Sequence, residues 1–288
     1  MKLPNIVEDP RTLDVIQDAL REDIGPGDVT TLALVPKAAV ICAEILARGD
    51  YVVSGTTVAE EAFMSVDGSL ACETVIPDGE PVGPKGVIVR IKGHARGILT
   101  GERTALNFLQ RMTGIATLTR RFVDKVKPYG TTILDTRKTT PGLRALEKYA
   151  VLCGGGRNHR IGLHDRFLIK DNHRRLWRKG KAARLDEAVA TCRGKYPGIE
   201  VEVEVESEAE LESALTARPE WVLLDNMSAA RLRRCVRLCA GQARLEASGG
   251  ITLANVEAVA ATGVDAISLG CLTHSAPAAD LSLEISRA

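Results

Sequence analysis

Residues Ile199–Glu206 read IEVEVEVE, an unbroken alternation that puts Val201, Val203 and Val205 on one side of a strand and Glu200, Glu202, Glu204 and Glu206 on the other. In a barrel the valines meet an outer layer of helices and the glutamates point into the lumen. Four carboxylates cannot be buried there alone, so cations or a metal are expected to face those nearest the mouth. The competing reading is a solvated edge strand with an acidic face. Working outward, this strand is one beat of a longer rhythm. Short apolar strands are predicted at TTILD (131–135), RFLIK (166–170), WVLLD (221–225), RLEAS (244–248) and AISLG (266–270), with helices at Leu185–Arg193, Glu208–Ala217, Ala229–Leu238 and Leu253–Ala261. Repeated β then α predicts a parallel sheet with helices outside. Each strand runs into residues with chemistry: Asp135-Thr136-Arg137-Lys138, Lys170-Asp171-Asn172, Glu204 and Glu206, Asp225-Asn226, Ser248-Gly249-Gly250, Leu269-Gly270. A doubly wound sheet gathers ligands at one crevice, whereas functional groups at every strand end are the pattern of an α/β barrel. Six strands where a closed barrel has eight predict an α/β fold with an incomplete, open barrel.

Upstream, a helix over Pro10–Arg21 and β-like runs Ala39–Leu46 and Val87–Ile91 alternate with turn sequences such as IGPGD and PDGEPVGPKG, which predicts a small α+β domain. From Gly101 to Lys127 there are few breakers, and Leu106, Leu109, Met112, Ile115 and Leu118 fall near helical spacing. This predicts a long helix or a helix pair linking two domains. The expected division is 1–112 for the N-terminal domain with its linking helix and 113–288 for the barrel, the C-terminal residues being free to pack back on the first domain.

Lys plus Arg (38) nearly cancel Asp plus Glu (37), leaving a formal charge of +1, and aromatics are 3% of residues. A nucleic-acid binder shows a wider basic bias and more stacking platforms, so nucleic acid is not expected as a partner. No apolar run approaches the ~20 residues of a membrane span, and MKLPNIVEDPRTLDVIQ lacks the apolar core of a signal peptide, so a cytoplasmic protein without membrane contact is expected. Seven scattered cysteines carry no CxxC spacing; Cys235 and Cys239, one helical turn apart, are expected on a shared core face.

Against that near-neutral background, Ile133–His173 concentrates Arg137, Lys138, Arg144, Lys148, Arg157, His159, Arg160 and Lys170, which predicts a pocket for a small polyanion. Asp225 closes the strand after the glutamates, where two hard oxygen ligands with waters and a substrate phosphate suit Mg²⁺; a helix N-cap is the alternative for Asp225. The loops EASGGIT and SLGCLTHS follow the last two strands, where barrels commonly bind phosphate, although tight turning alone also accounts for their glycines. Gly154–Gly156 lacks dinucleotide-binding spacing, and His159, His164 and His173 with Cys153 fit no zinc pattern.

Taken in order, EDIGPGDVTT, GERTALNFLQRMTGIAT, DTRKTTPGLRALEKYAV, GGGRNHRIGL, LIKDNH, EVEVE, LLDNM, EASGGI and LGCLTHS resemble quinolinate phosphoribosyltransferases over nearly the whole chain. The resemblance implies an N-terminal sandwich-like domain, an incomplete α/β barrel, and transfer of phosphoribosyl from phosphoribosyl pyrophosphate to quinolinate with decarboxylation, in de novo NAD biosynthesis. It implies a homodimer, or a higher oligomer of dimers, in which Arg103 of GERTALN reaches the neighbouring active site; without it Arg103 reads as a surface helix residue. By the matching motifs Arg137, Arg160 and Lys170 hold the quinolinate carboxylates, with Thr136 in the same strand-end motif, and Lys138 and His159 add positive charge around quinolinate and diphosphate. Glu204 and Asp225 hold Mg²⁺ and face the ribose, which with Lys138 and Lys170 makes the expected catalytic set. Ser248, Gly249, Gly250, Gly270, Cys271 and His274 cradle the 5-phosphate. The residues alone do not choose Glu204 over Glu206; the motif does, and its equivalent of Glu206 is often an aspartate. Three rivals stand beside this reading: a Schiff-base aldolase with Lys170 as nucleophile, a nicotinate phosphoribosyltransferase, and a non-catalytic anion sensor. The basic run RRLWRKGKAAR (174–184) departs from the ordinary loop expected there.

Overall fold

The alternating strand lies inside a six-stranded, all-parallel sheet. The computed structural model describes residues 3–177 and 185–286, and most of the basic run after His173 falls outside them. Along the chain come helices α1 (Pro10–Ile24) and α2 (Val29–Leu34), strands β1 (Val40–Ala47) and β2 (Tyr51–Val52), α3 (Thr56–Val66), β3 (Ala71–Thr74), β4 (Pro81–Val82), β5 (Val87–His94) and the long helix α4 (Ala95–Val126). Then follow β6 (Thr132–Leu134), α5 (Arg144–Cys153), β7 (Phe167–Ile169), α6 (Asp171–Leu176), α7 (Leu185–Lys195), β8 (Val201–Val205), α8 (Glu208–Thr216), β9 (Trp221–Asp225), α9 (Ala229–Cys239), β10 (Arg244–Ser248), α10 (Val256–Ala260), β11 (Ala266–Ser268), α11 (Cys271–His274) and β12 (Leu281–Ser286).

Two compact units divide these elements. The first comprises 1–120, 138–155 and 271–288, and the second 121–137 and 156–270. In the first, an antiparallel sheet runs β12-β1-β5-β3, with Cys42↔Ser286 through Ala47↔Leu281 pairing the chain's last strand to its first. Ala43, Ile45 and Ala47 alternate into the core beside Ile88, Val89 and Ile91. Helix α4 is one helix of 32 residues, with no proline to break it. Gly114 lets the helix approach the chain at Pro277 and Ala278 so closely that a Cβ would collide with the Pro277 carbonyl. Arg111 of α4 pairs with buried Glu147 of α5 at 2.8 Å and donates to the carbonyls of Ala276 and Thr273. Glu147 also accepts from the N–H and hydroxyl of Thr140.

In the second unit the strand order is β6-β11-β10-β9-β8-β7. From β7 to β11 each strand pairs with the next in sequence, and β6, the earliest, lies against β11, the latest. That is the cyclic order of a barrel broken only between β6 and β7, where a doubly wound sheet would reverse direction. The expected six strands and open barrel are what the protein forms. Val201, Val203 and Val205 are buried, as an outer helical layer requires. Ser207 caps α8 by accepting from the Glu210 N–H, and Ser228 caps α9 by accepting from the Arg231 N–H. Asp225 is therefore not the cap that its sequence context allowed. Leu232, Cys235 and Cys239 form the inner face of α9. Among the described residues no helix is long and apolar enough to cross a membrane.

Candidate active site

Side chains of residues paired across a ladder share a face of the sheet. The pairings Glu202↔Trp221, Glu204↔Leu223, Glu246↔Leu223, Ser248↔Asp225 and Ser248↔Ser268 therefore put Glu202, Glu204, Asp225, Glu246, Ser248 and Ser268 on one face, opposite the valines. This inner face is layered. At the N-terminal end of the strands the Trp221 ring meets two guanidiniums, Arg166 at 5.3 Å and Arg244 at 4.2 Å from the ring centre, an attraction of cation to ring face. Glu200 joins all three, accepting from the indole N–H at 3.2 Å and pairing with Arg166 at 3.1 Å and Arg244 at 2.7 Å.

The middle layer is acidic and buried. Glu202 and Glu246 are wholly buried, and His159 places Nε2 at 2.9 Å from Glu202 Oε2 and 3.4 Å from Glu246 Oε2. Burial, and then the neighbouring Glu202 carboxylate, hold the Glu246 acid well above the ordinary carboxylate range, since two anions so close in a low-dielectric space oppose each other's ionisation.

The layer at the C-terminal strand ends carries the candidate chemistry. Lys170, just past β7, forms an ion pair with Glu204 of β8. Asp225 ends β9, one strand over on the same face, and accepts from the side-chain amide of Asn226 at 2.9 Å. Asn226 adopts φ +53°, a left-handed conformation that asparagine tolerates better than most residues. Ser248 is the register partner of Asp225. Gly249 follows at φ +91°, where a Cβ would collide with the Asn226 amide; only glycine lets this loop close against the end of β9. Gly250 has φ +64°. Burial, and then the Arg137 guanidinium beside it, pull Arg160 below its usual value. Arg137 Nε is buried without a hydrogen-bond partner among the described residues.

The two units thus share out the expected site residues. Thr136, Arg137, His159, Arg160, Lys170, Glu204, Asp225, Ser248, Gly249, Gly250 and Gly270 belong to the second. Direct contact joins Lys170 to Glu204, register joins Asp225 to Ser248, and mutual repulsion marks Arg137 and Arg160 as neighbours. His159 is the exception, because it is 7% exposed and sits with the middle acids. Arg103, Lys138, Cys271 and His274 belong to the first unit. There the Thr273 hydroxyl donates to the Lys138 carbonyl at 2.8 Å, tying α11 to the turn that follows Arg137, and Arg103 is exposed on α4. Of the residues not anticipated, Glu246 carried a readable signal, since it lies two positions before Ser248 in a strand and so shares its face. Arg166 carried none beyond a polar residue at a strand boundary, and Asn226 stood only as one of the strand-end residues.

Family models for the quinolinate phosphoribosyl transferase N-terminal and C-terminal domains match residues 28–113 and 115–284. The chain belongs to the quinolinate phosphoribosyl transferase family. A nicotinate-nucleotide pyrophosphorylase [carboxylating] of Mycobacterium leprae is 42% identical over 282 residues, covering 94% of this chain and 96% of that one. A mitochondrial quinolinate phosphoribosyltransferase [decarboxylating] of Nicotiana glauca is 41% identical over 287 residues, covering 94% and 81%. The nicotinate-nucleotide pyrophosphorylase structure from Francisella tularensis superposes with a TM-score of 0.90 at 37% identity, covering 99% of this chain and 98% of that one. For a quinolinate phosphoribosyl transferase family member, Lys170, Glu204 and Asp225 at the C-terminal strand ends, and the neighbouring cations Arg137 and Arg160, have a ready chemical interpretation.

Proposed function

We propose that this chain transfers phosphoribosyl from phosphoribosyl pyrophosphate to quinolinate with loss of CO₂, giving nicotinate mononucleotide and diphosphate, a step of de novo NAD biosynthesis. The observation that carries this reading is the Arg137–Arg160 pair. A guanidinium lowered by burial and then by the cation beside it, next to one with a buried unpartnered N–H, is costly unless an anion joins them. A planar dicarboxylate offers each arginine a bidentate partner. Lys170 supplies a third cation, Lys138 is assigned to the surrounding positive field, and Thr136 to the same strand-end loop, whereas His159 faces the buried acids.

Glu204 and Asp225 offer carboxylate oxygens on adjacent strands, the hard donors that Mg²⁺ takes, and would hold it together with substrate oxygens. When bound, Mg²⁺ supplies neutralising charge to the departing diphosphate. The chain's own residues do the rest. Arg137, Arg160 and Lys170 hold quinolinate by its carboxylates, so that the pyridine nitrogen faces the anomeric carbon. As the bond from that carbon to diphosphate breaks, Glu204 and Asp225 stabilise the positive charge developing on the ribose. Ser248, Gly249, Gly250, Gly270, Cys271 and His274 are assigned to the 5-phosphate. Once the ring nitrogen is cationic, the carbon–carbon bond to the 2-carboxylate breaks, its electron pair remains beside that positive charge, and a proton then replaces CO₂. Arg103 is assigned to the active site of a second copy of the chain.

Lys170 is ion-paired to Glu204 rather than seated in apolar surroundings, which disfavours the aldolase reading. Incubating the protein with quinolinate, phosphoribosyl pyrophosphate and Mg²⁺ should release nicotinate mononucleotide and one CO₂ per turnover. Turnover of nicotinate with none of quinolinate would replace this reading with the one-carboxylate alternative, and turnover of neither would favour a sensor.

A further inference from the structure

The segment 159–162 has no helix or strand to set its shape. Instead, its four consecutive backbone N–H groups donate to side chains. His159 N–H donates to Asp135 Oδ1 at 2.9 Å, Arg160 N–H to the His159 ring at Nδ1 at 2.7 Å, and Ile161 and Gly162 N–H to the Asp165 carboxylate at 2.7 and 2.9 Å. The second of these bonds depends on where the ring carries its proton. A neutral imidazole has one donor and one acceptor nitrogen, so Nδ1 accepts from Arg160 only while the proton stays on Nε2. The partner of that Nε2–H is Glu202 Oε2 at 2.9 Å, wholly buried, with Glu246 Oε2 at 3.4 Å beyond it. Glu202 comes from the strand two residues before Glu204; its other oxygen is buried without a partner among the described residues, and the Arg166 guanidinium stands farther off, at 3.7 Å from Oε2, than the His159 ring.

We propose that Glu202 is a positioning residue: by holding the proton of His159 on Nε2 it fixes the backbone of Arg160, and so the direction in which the Arg160 guanidinium leaves the loop. The carboxylate neither touches substrate nor serves the metal. It acts through a ring and a peptide N–H, as second-layer partners act on the groups that bind. The same geometry disfavours a buried metal among His159, Glu202 and Glu246, because a ligating Nε2 would have to lose the proton that the Arg160 N–H compels it to keep. Only the final link, from Arg160 to quinolinate, rests on the function proposed above.

Two measurements on the wild-type protein need no assumption about activity. Histidine ¹⁵N spectra should show His159 as the Nε2–H tautomer, and the Arg160 amide should exchange slowly; an Nδ1–H ring or a fast amide would overturn the proposal. In Glu202→Gln the amide can donate to Nε2, favouring the opposite tautomer. Arg160 exchange should then accelerate, and KM for quinolinate should rise about tenfold, with KM for phosphoribosyl pyrophosphate unchanged and the melting temperature close to wild type. Glu202→Asp, which keeps an acceptor, should recover part of the quinolinate affinity. A Glu202→Gln protein with unaltered Arg160 exchange, or with both KM values raised alike, would make Glu202 an ordinary buried acid and end the proposal. If wild type does not turn over quinolinate, the functional reading fails while the tautomer and exchange results still decide this one.

Discussion

At the residue scale, Arg137 and Arg160 are most costly where they stand without substrate. Each is a cation beside a cation, and Arg137 has a buried N–H with no partner among the described residues, so under the proposed function the energy lost in holding them together would be recovered by binding a dicarboxylate. Arg137→Ala should therefore lower kcat/KM by at least about a hundredfold, while the melting temperature holds or rises because a repulsion is removed. Steady-state kinetics and thermal melts on one preparation check both halves. Glu204, Asp225 and Lys170 were legible because each sits at or just past the end of a strand whose period the sequence displays. Glu246 was not singled out because RLEAS shows one carboxylate among mixed neighbours, although its place two residues before Ser248 assigns it that residue's face. His159 was read as one more cation, since nothing in the letters tells a ring that faces substrate from one that faces two buried acids.

At the element scale, two polar clamps organise helices that apolar periodicity alone would leave loosely oriented. Arg111 and Glu147 are 36 residues apart in sequence, and their pairing holds α4, α5 and the Thr140 turn together. No local pattern announces such a contact. Arg111→Met would leave Glu147, only 1% exposed, without its cation, and should cost about 3 kcal/mol of stability by chemical denaturation. The second clamp is Glu208 at the start of α8, bonded to Arg234 and Arg231 of α9. Its own helix-end N–H, then Arg234 and Arg231, push its carboxyl down to about 2 from 4.5. A depressed acid contributes stability that is fully present above the unfolded value and lost as pH falls through the folded one. The melting difference between wild type and Glu208→Gln should thus be widest near neutral pH and shrink as pH falls below 4.5 toward about 2. The long helix, by contrast, was legible in all but its unity: the apolar spacing allowed one helix or two, and an uninterrupted 32-residue run decides it.

At the scale of the whole molecule, the β-then-α rhythm made the six-stranded sheet readable, while the antiparallel sheet was only half readable, because LSLEIS at 281–286 is too short and too distant from its partner β1 to announce the pairing that the register defines. Arg103, exposed on α4, belongs to this scale too. Mixing Arg103→Ala with Lys170→Ala subunits should restore about a quarter to a half of the wild-type activity per site if the arginine acts in a neighbouring copy, and no recovery would assign it to its own chain. A parallel sheet that stops two strands short of closure has another consequence. Its two rims, β6 and β7, would each offer bare main-chain donors and acceptors to any passing extended peptide. Both rims are only three residues long, and on β6 the backbone of Arg157 already occupies the Ile133 carbonyl and the Asp135 N–H. What would otherwise be a template for fibre growth is thereby blunted, and the gap in the wall is spared from becoming an adhesive seam.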